Sequence, residues 1–386
     1  MTDSLAAPQH AQGIPPPPPS PPRPPAARSE RFGFTGSAGE YFRIWIVNLF
    51  LTLVTLGIYS AWAKVRKKRY LYGNTWLAGS NFEYHGRPVA ILKGRLVALV
   101  AFAAYTFAAR YSPRYATAVV LALSPAVPWL VVRSFAFNAV NSSYRNIRFR
   151  FDGTYREALM ALAPIVLIPA VSLAMPRIDP AHPPRSFAGM WFLFVPPLVA
   201  AVVYPYVVAK VRLFQANRTR FGTSAFRCRA SVGSFYVIYV LAMLIFFVLV
   251  FALGALAGAS AVFMPAAIIA LAPVGYIVSA AILLAFTRSR VANLTFNATR
   301  LEGGVGLKST LSSLRLARIY GFNLAAITLT VGLAVPWAVI RTVRYRAESL
   351  AVLADQGLEA FVAGVTRDVA AAGEEMSEMF DMDFSL

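Results

Sequence analysis

The chain has 386 residues, 58% hydrophobic and 14% charged, with 37 Lys+Arg against 17 Asp+Glu for a formal charge of +20. That composition is too apolar for two or three soluble domains and fits a membrane protein. A single cysteine, Cys228, and three scattered histidines, His10, His85 and His182, exclude an internal disulfide, a thiolate zinc site and a local histidine cluster, so no cofactor is expected.

In chain order, residues 1–31 form a Pro-rich arm with the run Pro15–Pro19, which predicts an extended, disordered segment. It lacks the charged start and apolar core of a signal peptide. A helix needs about 20 apolar residues to cross a bilayer, and a central charge costs roughly 2.5–3.5 kcal/mol, so charge-free windows mark the spans. Single windows run from Arg43 to Lys64, Arg95 to Arg110, Arg114 to Arg133, Glu157 to Arg177 and Arg185 to Lys210. The stretch from Arg229 to Arg288 holds two, with a small-residue turn at Gly254–Gly258, and Arg318 to Arg341 closes the series. The expectation is an all-α, polytopic membrane domain over residues 32–346, of about seven or eight hydrophobic segments built from repeated helical hairpin units.

Residues 347–386 make an acidic tail of net −8, so the rest of the chain stands at +28. Leu350, Leu353, Leu358, Phe361, Val365 and Val369 fall on one helical arc, which predicts an amphipathic helix.

The chain also resembles itself. A shift of 275 carries Arg43, Asn48, Thr55, Gly57, Trp62, Arg66 and Tyr70 onto Arg318, Asn323, Thr330, Gly332, Trp337, Arg341 and Tyr345. A shift of 67 carries Trp62, Arg66, Tyr70, Asn74, Phe82, Tyr84 and Gly86 onto Trp129, Arg133, Phe137, Asn141, Phe149, Phe151 and Gly153. The unit is an apolar segment, an aromatic exit at headgroup level, basic residues, an Asn and a Phe/Gly turn. Its recurring side chains, Arg66, Arg69, Asn74, Arg133, Asn141, Arg212 and Asn217, are topological markers first; a sharper reading has them meet an anionic ligand at the cytoplasmic face.

Phe34-Thr-Gly36, Glu40-Tyr-Phe42, Asn48-Leu49, Thr55-Leu-Gly-Ile-Tyr59, Ala61-Trp-Ala63, Arg69-Tyr70, Asn74-Thr75 and Gly79 together resemble the YjgN-like family of bacterial inner-membrane proteins over roughly residues 32–346. The resemblance implies a multi-pass inner-membrane protein of uncharacterised activity and carries over no catalytic residues.

The long linkers after the first, third, fifth and seventh segments are rich in Lys and Arg, which predicts that they are cytoplasmic and face anionic lipid headgroups. Parity then conflicts with the repeat, because segments 41–63 and 318–340 match in sequence but would end on opposite sides. Either they are inverted copies, or both are re-entrant hairpins broken near Gly57 and Gly332.

Enzyme signatures are missing: Gly303-Gly-Val-Gly306-Leu-Lys308-Ser309 lacks a Lys directly after the last Gly of a phosphate loop, and no nucleophile–base pair is visible. The basic residues follow span ends and form no nucleic-acid-binding face, so nucleic acid is not an expected partner. No ionisable residue sits inside a segment; Asn48 and Asn323 are the intramembrane polar candidates, beside helix-breaking prolines such as Pro128, Pro205 and Pro336. The sequence thus points to a non-enzymatic membrane protein, a small-solute transporter or channel first, and second a scaffold whose arm or tail recruits a protein partner. A polar cavity at Asn48 and Asn323 would mark the transporter, and a dry bundle the scaffold.

Overall fold

The computed structural model describes residues 28–175, 187–263 and 265–383; the Pro-rich arm up to residue 27 lies outside the described residues. Strands β1 (Arg28–Arg31) and β2 (Gly33–Phe34) precede helix α1 (Ala38–Val54), which turns back through α2 (Ser60–Gly73). A hairpin of β3 (Thr75–Leu77) and β4 (Ser80–Tyr84) follows, then α3 (Pro88–Tyr111), α4 (Pro113–Leu123) and α5 (Ala126–Val140). Next come β5 (Ser142–Tyr144), β6 (Ile147–Phe151), α6 (Tyr155–Leu162), a 3-10 turn over Ala163–Val166, and α7 (Leu167–Ala174). After a second 3-10 stretch, Phe187–Phe194, the chain runs through α8 (Val195–Asn217), β7 (Thr219–Phe221), β8 (Ser224–Cys228), α9 (Val232–Phe263) and α10 (Pro265–Asn297). It closes with β9 (Thr299–Leu301), β10 (Val305–Ser309), α11 (Ser313–Leu329), α12 (Val335–Glu348), β11 (Leu350–Ala354) and α13 (Leu358–Asp383).

The strands overturn the all-α expectation. They form one 11-stranded sheet in the order β1-β11-β10-β9-β8-β7-β6-β5-β4-β3-β2, every described pairing antiparallel. Its two outer strands, β1 and β2, are consecutive in the chain and separated by Phe32, whose N–H donates to the Leu350 carbonyl at 3.1 Å. The sheet therefore curls into a nearly closed barrel, which satisfies the edges that an open sheet leaves unpaired. The basic linkers are the barrel's hairpins. Leu350 and Leu353, expected on the tail helix, lie instead in β11, paired on both sides by β1 and β10.

The span count is corrected as well. Among the described residues, five helices are long and apolar enough to cross a membrane: Pro88–Tyr111, Tyr155–Ala174, Trp191–Asn217, Val232–Ala259 and Pro273–Asn297. The α4 and α5 pair, bent by 51°, gives a sixth if it counts as one span. Residues 41–63 and 318–340 are not straight spans: each is a broken helical hairpin, α1–α2 and α11–α12. The breaks are built alike. At Thr55 the hydroxyl donates to the Leu51 carbonyl at 2.7 Å and accepts the Tyr59 N–H at 2.9 Å; at Thr330 it donates to Ala326 at 2.7 Å and accepts the Ala334 N–H at 2.9 Å. The next two residues, Leu56-Gly57 and Val331-Gly332, have positive φ, with the glycines at 92° and 93°. Glycine carries that conformation without steric cost, and the Thr hydroxyl satisfies a donor and an acceptor freed where the helix stops. Every helical excursion thus starts and ends at the barrel, which removes the parity conflict.

The helices that feed the barrel also stop in one way. Thr75, Ser142, Thr219, Thr299 and Ser349 each donate a side-chain hydroxyl to the carbonyl four residues earlier, at 2.6–2.8 Å. Each such bond occupies a carbonyl at the helix end just where the chain turns into a strand.

Candidate functional site

Alternation sorts the strand residues into two faces. In β6 the sequence Ile147-Arg-Phe-Arg-Phe151 turns Ile147, Phe149 and Phe151 inward and leaves Arg148 and Arg150 exposed. The inward residues build an aromatic chain: Phe32 to Phe82 at 5.9 Å between ring centroids, Phe82 to Tyr144 at 4.8 Å, Tyr144 to Phe221 at 6.2 Å, Phe221 to Phe149 at 5.1 Å and Phe149 to Phe226 at 6.4 Å. Offset ring pairs at such spacing contribute beyond their buried area. These rings, with Phe296, Leu301, Val305, Leu307 and Val352, line a cavity of about 200 Å³ whose walls are almost wholly apolar. Burial in this wall raises the Tyr144 hydroxyl pKa above its ordinary value.

The end of the barrel with the hairpin turns is covered by α13. Leu358, Phe361 and Val362 enter the cavity wall, and Phe361 stacks on Phe221 at 6.3 Å. A Cβ on Gly222, in the β7–β8 turn, would lie 2.6 Å from Val365, so glycine is what lets the helix seat. Arg145, in the β5–β6 turn, faces Glu359 at 3.5 Å. The helical arc read from the tail sequence is therefore a plug from Leu358 onward.

Outside, arginines crowd together. Arg150 pairs in register with Arg220, and Arg227 with Arg300. Like charges directly opposite one another repel, and two carboxylates offset this: Asp152 sits 2.5 Å from Arg220 and Glu302 2.7 Å from Arg227. Hydrogen bonds from Arg227 and from the Ala225 N–H hold the Glu302 carboxyl below its usual pKa. Among the described residues Arg148, Arg150 and Arg300 have no carboxylate partner, and no group of His, Cys, Asp and Glu has the composition to hold a metal.

The residues singled out from the sequence occupy two settings. Asn74 and Asn141 close α2 and α5, donating to the Tyr70 and Phe137 carbonyls at 2.8 and 2.7 Å, while Asn217 accepts the Cys228 N–H at 2.6 Å. Arg66, Arg69, Arg133 and Arg212 stay exposed within the last two turns of α2, α5 and α8, with Arg133 over the Trp129 ring at 5.7 Å. No described contact joins these arginines. Asn48 and Asn323 line no described cavity. Both are buried, and Asn323 donates to the Ala338 carbonyl at 3.1 Å and the Thr342 hydroxyl at 2.9 Å, stapling α11 to α12. The cavity residues were missed because their strands are three to five residues long; the signal was the Arg-Phe alternation of residues 148–151.

Comparisons with known proteins agree with the membrane character. Inner membrane protein YjgN of Salmonella typhimurium (strain LT2) is 30% identical over 145 residues, 37% of this chain and 37% of that protein. Its counterparts in Escherichia coli O157:H7 and Escherichia coli K12 are 31% and 32% identical, each over 32% of this chain and 31% of theirs. The chain thus matches only about a third of the length of each of those relatives. No solved structure matches the chain. A model of bacterial proteins of unknown function, DUF898, matches residues 29–379, from β1 into α13. With the barrel and its plug both inside that match, the chain belongs to the DUF898 family of bacterial proteins of unknown function.

Proposed function

We propose that the chain is a non-enzymatic, multi-pass inner-membrane protein that holds a small apolar or amphipathic molecule in its barrel and exchanges it with the bilayer. The observation that carries this reading is the apolar cavity inside the barrel, covered by α13. An engineered apolar cavity of about 150 Å³ accepts benzene, so about 200 Å³ is room for a small apolar group. Transport of a polar solute past Asn48 and Asn323 has less support, since both are packed inside their hairpins.

The barrel hairpins carry the basic residues, which favours a cytoplasmic barrel with Arg66, Arg69, Arg133 and Arg212 near anionic headgroups, at about 1 kcal/mol each. A C-terminal reporter is accordingly expected to be active only in the cytoplasm. A second reading, a scaffold recruiting a protein partner through the arm or tail, draws on the length of α13, which continues to Asp383.

Titrating the purified protein with N-phenyl-1-naphthylamine tests the main reading. Saturable fluorescence enhancement is expected, and Leu307→Trp, which fills the cavity, should remove it while the melting transition persists. A folded wild-type protein that shows no saturable enhancement rules out the carrier reading.

A further inference from the structure

The barrel rim under α13 holds one preset cation. Arg145 opens the β5–β6 turn at φ 48°, its Nε donates to the Ser80 hydroxyl at 3.0 Å, and its terminal nitrogen donates to the Ala78 carbonyl at 2.7 Å. Its guanidinium lies 5.5 Å from the ring of Tyr144, which is a wall of the cavity. A guanidinium has five N–H donors, so two neutral acceptors leave the fork with donors to spare for an anion. The anion present is the Glu359 carboxylate at 3.5 Å, at the start of α13, with its side chain 66% exposed. One turn of the plug therefore delivers two things to the barrel: a carboxylate to Arg145, and apolar side chains, led by Phe361, to the aromatic wall.

An unbranched monocarboxylic acid has the same two parts. The geometry points to a free fatty acid as the barrel's ligand, its carboxylate pairing with Arg145 in place of Glu359 and its chain replacing Phe361 against Phe221 and Tyr144. Helix α13 is then an internal surrogate for the ligand, and binding releases it. The inference rests on the carrier reading and adds the ligand class. A neutral chain would gain the same apolar contacts without the ion pair, which is the difference to measure.

The full chain in nanodiscs of zwitterionic lipid is titrated with decanoate and with 1-decanol, using displacement of N-phenyl-1-naphthylamine, with empty nanodiscs as the blank. Tryptic cleavage at Arg367, exposed on α13, reports release of the helix. Decanoate is expected to bind at least about tenfold more tightly than decanol, the ratio a charge-assisted hydrogen bond gives, and to speed the cleavage. Arg145→Gln should erase that preference and leave decanol unchanged. Glu359→Gln alters only the plug and should tighten decanoate severalfold, which keeps the test sound if Arg145→Gln fails to fold. Equal affinity for acid and alcohol in the wild type, or no response of decanoate to Glu359→Gln, overturns the fatty-acid assignment while leaving an apolar carrier standing. Absence of binding by both compounds overturns the two together.

Discussion

Two helical excursions leave this barrel and return to it on very different scales. Helices α9 and α10 have 32 and 33 residues; α1 and α2 have 17 and 14. At 1.5 Å per residue α1 is about 25 Å long, short of the roughly 30 Å of a hydrocarbon core. Its tip is nonetheless apolar and open, with Leu56 94% exposed, as is Val331 at 93% in the matching α11–α12 hairpin. The difference teaches that sidedness in this fold comes from the strands. Because both ends of every excursion are fixed in one sheet, a helix pair can cross the bilayer or stop inside it without changing where the next element begins.

The largest expected effect is all or none. In a Cys228→Ser background, a cysteine replacing Leu56 or Val331 should resist a membrane-impermeant maleimide from either side. One replacing Tyr111, at the end of the long α3, should label only from the side opposite the barrel. Labelling of Leu56→Cys from that opposite side would show that α1–α2 crosses after all. A smaller effect separates the two short hairpins from each other. The amide oxygen of each asparagine is buried without a partner, but the Asn323 nitrogen makes two hydrogen bonds across its hairpin, whereas the Asn48 nitrogen makes no described bond. Asn323→Leu should therefore cost about 1–2 kcal/mol in thermal unfolding, and Asn48→Leu should cost little or stabilise; equal losses would mean the hairpins are held alike. The smallest effect concerns the outer barrel wall. Glu302→Gln leaves Arg227 facing Arg300 unscreened, so the melting temperature should fall slightly at low salt and recover at high salt. The folded carboxyl has a lowered pKa, so its contribution is present above the ordinary carboxylate range and is lost only as pH falls through the folded value. A difference between wild type and variant that persisted at low pH would contradict the pairing.

The helices were legible because a charge in hydrocarbon is costly, which leaves charge-free windows whose edges are sharp. The breaks at Gly57 and Gly332 were legible as one of two options, since a Thr followed by an apolar residue and Gly is turn chemistry set inside an apolar run. Strands such as Thr75–Leu77 and Thr219–Phe221 offer only three residues to a pattern of period two, and their interleaved arginines read as headgroup ligands. What makes them strands is pairing with segments far away in the chain, which local propensity does not record. Leu350 and Leu353 show the same limit from the other direction: they fit the helical arc that Leu358, Phe361 and Val365 complete, yet β1 and β10 on either side hold them extended. Arg145 gave no signal, because its role depends on the turn that aims it and on a partner in α13.

The kinked strand at Phe32 has a consequence for biogenesis. Its first half pairs with β11, so Arg28 lies opposite Ala354 and the seam joins the two ends of the barrel's sequence. Such a long-range pairing is slow to form and can form only after the last helical hairpin has been synthesised. Until then the phenylalanine ring stays open to water on one flank. Closure of the seam is thus the last pairing of the barrel: a chain that ends before residue 350 lacks the strand that holds Arg28–Arg31 and the Phe32 N–H.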